Sequence, residues 1–203
     1  MRTGFWWILL AIAVYGVIHS WLASIRTKEL ARKWLGEQIF RAYRLIYVLI
    51  ASLGALGLIY LVLELPDAKI YVIPLPLIVL TITVQVLALA GGLASLRQTG
   101  IWELLGIRRL LHPEQEQPPV LVISGMYHWV RHPLYVCALL FVWLMPAMTW
   151  NILAFNLGIT LYITVAVVLE EKKLLLEFGE AYAEYQKQVP MLIPGLWLKK
   201  SKL

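Results

Sequence analysis

The sequence predicts an all-α, polytopic membrane protein with about five transmembrane helices, and three observations predict it. First, 61% of its 203 residues are hydrophobic and 15% charged, against roughly half and a quarter in soluble domains. Mean hydropathy is +0.74. Second, the apolar residues gather in runs, most of them about twenty residues long, the length that crosses a bilayer core. Third, the cations are segregated. Sixteen of the 18 Lys and Arg lie in alternate links and the tail, leaving Arg2 and Lys69 on the other side.

Residues 5–25 form the first run. The small pair Ala23-Ser24 resembles a signal-peptide cleavage site, but the run is longer than an h-region of roughly 7–15 residues. Its heavier basic flank also follows it, so a span is expected. Residues 27–44 are basic and polar, with Leu30, Trp34 and Leu35 on one side, as in a helix lying in the interface. Residues 45–65 form the second span, where Gly54 and Gly57 permit close helix packing. Pro66-Asp67 turns the chain into a third span at 71–96, with Pro74 and Pro76 in its first turns.

Residues 97–130 are the longest connection. It holds an amphipathic piece (101–111), a proline-rich polar stretch (112–119) and a short apolar run (120–123). Loops of that length are usually functional or disordered. Residues 134–145 and 152–170 are the fourth and fifth spans, joined by a short turn; the fourth is short unless it starts inside the interface. Residues 172–187 read as a helix broken at Gly179 and stopped by Pro190 and Pro194. The whole is expected to be one integral-membrane domain, 1–203, with a three-helix amino part (1–97) and a second part (98–203).

The segregation of cations sets orientation. Lys and Arg are retained on the cytoplasmic side of a membrane, so the amino terminus is expected outside and the carboxyl terminus in the cytoplasm of a bacterial or archaeal cell. The net charge of +6 thus follows the bilayer rather than nucleic acid. Nine Trp and ten Tyr cluster near run ends, as interfacial belts do. The single cysteine, Cys137, sits in an apolar run and reads as a buried, inert thiol. No Cys/His spacing suggests a metal, and no glycine-rich loop follows a strand, which excludes a Rossmann-type nucleotide domain. The terminal SKL mimics a peroxisomal address, but it reads as coincidence on a basic tail.

The chemistry concentrates between Ser124 and Pro194. Arg131, His132 and Pro133 stand immediately before the fourth apolar run. Pro133 suits a first helical position, and the amides behind it make an anion site. Glu170 and Glu171 close the fifth run, where carboxylates oppose the helix dipole and call for a compensating cation. The hairpin returns both to one membrane surface. A ligand with a carboxylate and cationic centres suits such a site, and S-adenosylmethionine is one. Glu170, deeper by one residue, is the better partner for its ammonium or ribose. Tyr182 and Tyr185 share a helical face and can offer cation–π contact to a sulfonium. In the apolar part, His19, Ser20 and Gln85 lie within spans and Glu64 at the end of one. His19 either hydrogen-bonds a neighbouring helix or lines a substrate cavity, and with Arg131 it is a candidate for positioning an acceptor.

RHPLY at 131–135, then Glu170-Glu171, FGEAYAEY at 178–185 and Val189-Pro190 resemble the isoprenylcysteine carboxyl methyltransferase-like family of small integral-membrane methyltransferases. The likeness covers roughly the last eighty residues. It implies a cytoplasmic pocket for S-adenosylmethionine in 98–203, with Tyr127, His132, Pro133, Leu134, Tyr135, Glu170, Glu171, Tyr182 and Tyr185 as cofactor-contacting positions, capped by the 97–130 loop and the 172–194 tail. It also implies a lipophilic or small membrane-permeant acceptor: a thiol, a lipid or a prenylcysteine carboxylate. Prenylcysteine enzymes often carry an Arg one turn before the first Glu. Here that position is Ala166, which favours an uncharged or thiol acceptor. HSWLAS at 19–24 with 36–44 is similar to NnrU-type bacterial membrane proteins, which implies the alternative of a non-catalytic accessory role in nitrogen-oxide metabolism.

Overall fold

The computed structural model describes residues 3–111 and 120–193. The proline-rich stretch 112–119, Arg2 and the tail from Pro194, with Lys199, Lys200, Lys202 and SKL, lie outside the described residues. Among the described residues four helices are long and apolar enough to cross a membrane: α1 (Phe5–Ala23), α3 (Tyr43–Glu64), α4 (Leu75–Thr99) and α8 (Trp150–Phe178). Only 6% of the most apolar window of α3 is buried inside the protein, and Leu53, Leu56 and Leu63 on it are exposed. A helix apolar all round with so little protein cover is one solvated by lipid, and the chain is a multi-pass membrane protein. The remaining helices are α2 (Ile25–Phe40), α5 (Ile101–Leu105), α6 (Ile107–Leu111), α7 (Pro133–Trp143) and α9 (Glu180–Gln188). The apolar α7 has 11 residues, a rise of about 16 Å, half of a hydrocarbon core.

The chain divides into two compact units: Met1–Leu75 with Gly100–Pro118 and Pro146–Tyr162, and Pro76–Thr99 with Pro119–Met145 and Ile163–Leu203. In the first, α1 packs on α3 around Ile8, Ile12, Leu58 and Ala154. Gly158 lets this core close, because a Cβ there would come 2.7 Å from Ile12. One end of the unit is tied by β1 (Lys69–Val72) pairing antiparallel with β2 (Ala147–Thr149). The Asn151 N–H donates to Asp67 Oδ1 at 3.0 Å, and its side-chain amide donates to the Leu65 carbonyl at 3.0 Å. The Gly4 N–H reaches the Pro66 carbonyl at 2.7 Å. At the other end Ser24 caps α2, accepting from the Thr27 N–H at 3.2 Å, and the Tyr43 hydroxyl donates to the Leu22 carbonyl.

In the second unit α4 and α7 approach closely where α4 carries Gly91: a Cβ there would meet Cys137 Sγ at 3.1 Å. Cys137 is buried and free, as expected of an inert thiol. Buried Gln85 donates to the Phe141 carbonyl at 2.8 Å, near the end of α7.

Two expected boundaries are corrected. The third span starts at Leu75, not 71, because Ile70, Tyr71 and Val72 suit an extended strand, in which Tyr71 and Val72 pair with Met148 and Ala147 of β2. The fifth does not end at Glu170-Glu171. Glu, Lys and Leu are strong helix formers, so α8 runs on through 172–178. The two glutamates are therefore not at a helix carboxyl end, and the expected dipole repulsion does not apply. Glu170 lies twenty residues from the start of α8, about 30 Å along it, one hydrocarbon thickness. The break at Gly179 is where it was expected: φ is 56° there, which a glycine adopts without cost.

Candidate functional site

The site is built in the second unit from four pieces: the 3-10 turn Gly125–His128, the start of α7, the later part of α8, and α9 with its exit. The turn opens on Gly125, whose φ of 62° is left-handed, and Gln98 of α4 accepts from the Met126 N–H at 3.4 Å. Beyond the turn the Arg131 and His132 amides donate to the Pro190 and Met191 carbonyls at 2.9 and 3.2 Å. The residues before α7 and those after α9 thus run side by side. Pro133 then starts α7 as its first residue.

The adjacent glutamates diverge. Glu171 is largely enclosed, its side chain 13% exposed. Oε1 accepts from Arg131 Nε at 2.6 Å and from the Tyr182 hydroxyl at 3.4 Å, and lies 3.3 Å from His132 Nε2. Oε2 accepts from Gln186 Nε2 at 2.9 Å. The Arg131 guanidinium also donates to the Gln186 and Val189 carbonyls. Glu171 and Arg131 are therefore a closed, largely enclosed ion pair with further hydrogen bonds around both partners, the kind of support under which such a pair is tolerated. Glu170 is open, its side chain 44% exposed. It accepts from the Tyr135 hydroxyl at 2.8 Å, and among the described residues its ion-pair contact is His132 Nδ1 at 3.9 Å.

The remaining expected positions fall around this knot. His132 is 5% exposed, between the two carboxylates, with its ring stacked on Tyr135 at 5.7 Å. Pro133 is buried, and Leu134 follows it in the first helical turn. Tyr182 and Tyr185 are 1% and 7% exposed and pack with Val189, Leu121, Leu174 and Phe178, so they are a core rather than two open ring faces. The Tyr185 hydroxyl donates to the Tyr127 carbonyl. Burial pushes the Tyr185 phenol up to about 12, with Arg131 opposing. Burial and then the Glu171 charge raise Tyr182, and burial raises Tyr127. All three stay neutral donors near neutral pH. His19 belongs to the first unit. Gln186 was not singled out in the sequence, although it stands four residues after Tyr182, on the same helical face.

No family model matches the chain, and no solved structure does. It is 33% identical over 192 residues to methanethiol S-methyltransferase 1 of Bradyrhizobium diazoefficiens, covering 92% of this chain and 65% of that protein. It is 31% identical over 190 residues to the methanethiol S-methyltransferase of Mycobacterium tuberculosis, covering 92% of this chain and 76% of that protein. Both alignments therefore run through the amino half. The protein-S-isoprenylcysteine O-methyltransferase of Schizosaccharomyces pombe is 34% identical over 80 residues, 37% of this chain and 33% of that protein.

Proposed function

This chain belongs to the isoprenylcysteine carboxyl methyltransferase-like family of membrane methyltransferases, alongside the methanethiol S-methyltransferases, and we propose that it moves a methyl group from S-adenosylmethionine to a small, membrane-permeant thiol. The observation that carries the reading is the split between the glutamates. Glu171 with Arg131 is a closed pair that holds the site together. Glu170 is an open carboxylate with no Lys or Arg ion pair among the described residues and His132 Nδ1 3.9 Å away, as suits a site for a cationic ligand.

The residues fit S-adenosylmethionine in kind. Glu170 would hold its ammonium or ribose, and the first-turn amides of Leu134 and Tyr135, with no helical carbonyl behind them, would take its carboxylate. When bound, the cofactor supplies an electrophilic methyl on a sulfonium. The chain's contribution is then to orient the acceptor, exclude water and keep the pocket rigid. His132, Tyr182 and Tyr185 serve from within, by fixing Glu171 and the turn at Tyr127; Pro133 fixes the start of α7.

Two features favour a thiol. Ala166 leaves the turn before Glu170 without a cation for an acceptor carboxylate, and a carboxylate beside lipid needs one. The relatives that align with most of this chain act on methanethiol by name. A thiolate also attacks without a general base once ionised. The cofactor pocket, within residues 98–203, is proposed to face the cytoplasm.

The test is methyl transfer from radiolabelled S-adenosylmethionine by purified protein in nanodiscs, to methanethiol, phosphatidylethanolamine and farnesylcysteine in parallel. The expected product is a volatile labelled thioether. Base-labile label on farnesylcysteine alone, or no label from a folded sample that binds no S-adenosylhomocysteine, would refute the proposal.

A further inference from the structure

The first unit holds a second polar cluster that the reading above leaves unused. Around His19 of α1 stand Tyr15, Tyr47 of α3 and Tyr162 of α8, with ring centroids 5.4, 5.1 and 5.9 Å from its own. The Tyr47 hydroxyl lies 2.6 Å from His19 Nε2, and the Tyr15 hydroxyl donates to the Ala51 carbonyl at 3.1 Å. Two glycines make the ring seats. A Cβ on Gly16 would come 2.9 Å from the Tyr162 ring, and one on Gly54 2.7 Å from the Tyr15 ring. Such close seating fixes the rings, and an ionisable side chain in an apolar helix is a candidate for function.

Beside the cluster is a cavity of about 180 Å³, lined by His19, Tyr47, Tyr15 and the aliphatic Ile18, Ile50 and Ala51. Cavities of about 150 Å³ hold a benzene ring, so this one takes a molecule of a few heavy atoms. The Tyr47–His19 pair is not closed. One hydrogen bond joins the hydroxyl and Nε2, and His19 Nδ1 is buried with no hydrogen-bond partner among the described residues. Whichever tautomer holds, the pair has capacity for one more hydrogen bond. Ile18 and Ile50 at the edge are about half exposed, 48% and 45%, on helices solvated by lipid, so the cavity is reached from hydrocarbon and selects against ions.

We propose that this cavity seats a small uncharged molecule with a short apolar body and one weakly acidic hydrogen, an alkanethiol, with that hydrogen on the Tyr47–His19 pair. The choice of thiol over alcohol rests on the thiol-methylation reading; the cavity and its polar edge do not. His19 thereby holds the thiol in this cavity and Ala51 sets the volume open to it.

The test reads binding without turnover. Protein labelled with 13C-histidine in nanodiscs gives few imidazole signals, and His19 is assigned by its loss in His19→Gln. Ethanethiol is expected to shift the His19 signal saturably and to leave that of His132 in place. Dimethyl sulfide, which lacks the S–H, is expected to act at least fivefold more weakly. Ala51→Leu, which fills the cavity and keeps His19 present, should abolish the shift. In a methyl-transfer assay it should raise the KM for ethanethiol at least fivefold while S-adenosylhomocysteine binds as in wild type. A His19 signal that ignores ethanethiol, or one that moves equally in Ala51→Leu, would overturn the proposal even if methyl transfer is found. Saturable binding with no transfer to any thiol would instead uphold the cavity and reject the transferase reading.

Discussion

The two units fasten distant pieces of chain by different chemistry. In the first, Asn151 at the start of α8 joins the link after α3 through amide and backbone groups. It is fully buried, and its partners are two carbonyls and the Asp67 carboxylate. In the second, the fastening is a largely enclosed ion pair, Arg131–Glu171, with Gln186, Tyr182 and two carbonyls around it. An amide that loses a partner leaves an unmet hydrogen bond. A charge that loses its partner leaves an uncompensated ion, which is far more costly in a low-dielectric surrounding. The second unit is thus the more brittle, and brittle where the ligand pocket is proposed.

That contrast can be broken by substitution. Glu171→Gln should have the largest effect, about 3–5 kcal/mol of destabilisation, as for breaking a buried pair from one side. Thermal unfolding in detergent should show a drop of that order. A loss below about 1 kcal/mol would place the pair among surface contacts. Asn151→Ala should cost about 1–3 kcal/mol, the penalty of buried groups left unsatisfied, and should leave binding of S-adenosylhomocysteine unchanged. Lys187→Gln removes an exposed contact with Glu184 at 3.0 Å and should leave thermal unfolding as in wild type.

The same contrast explains what was legible in the sequence. Charges in an apolar chain stand out, so Arg131, Glu170 and Glu171 were visible, and the proline and glycine that bound their helices were too. That α8 runs on past Glu171 was hidden, because hydropathy falls at 170–173 while helix propensity does not. The fastening by Asn151 left no pattern at all, since a lone asparagine before an apolar run reads as part of a turn. Tyr71 and Val72, the end of the strand, read in sequence as the start of a span, because three apolar residues before a proline carry no period that separates the two. Which glutamate is closed and which is open could not be read from neighbours in sequence, because it depends on Arg131 and Gln186 arriving from 40 and 15 residues away.

The central claim is that Glu171 holds the site and Glu170 serves the ligand. Calorimetric titration of Glu170→Gln with S-adenosylhomocysteine, beside its thermal unfolding, tests that most directly. Affinity is predicted to fall by about 1.5–3 kcal/mol, roughly ten- to a hundredfold, as for a lost charge-assisted hydrogen bond, with the unfolding temperature near that of wild type. Wild-type affinity in Glu170→Gln, or unfolding as severe as in Glu171→Gln, would contradict it.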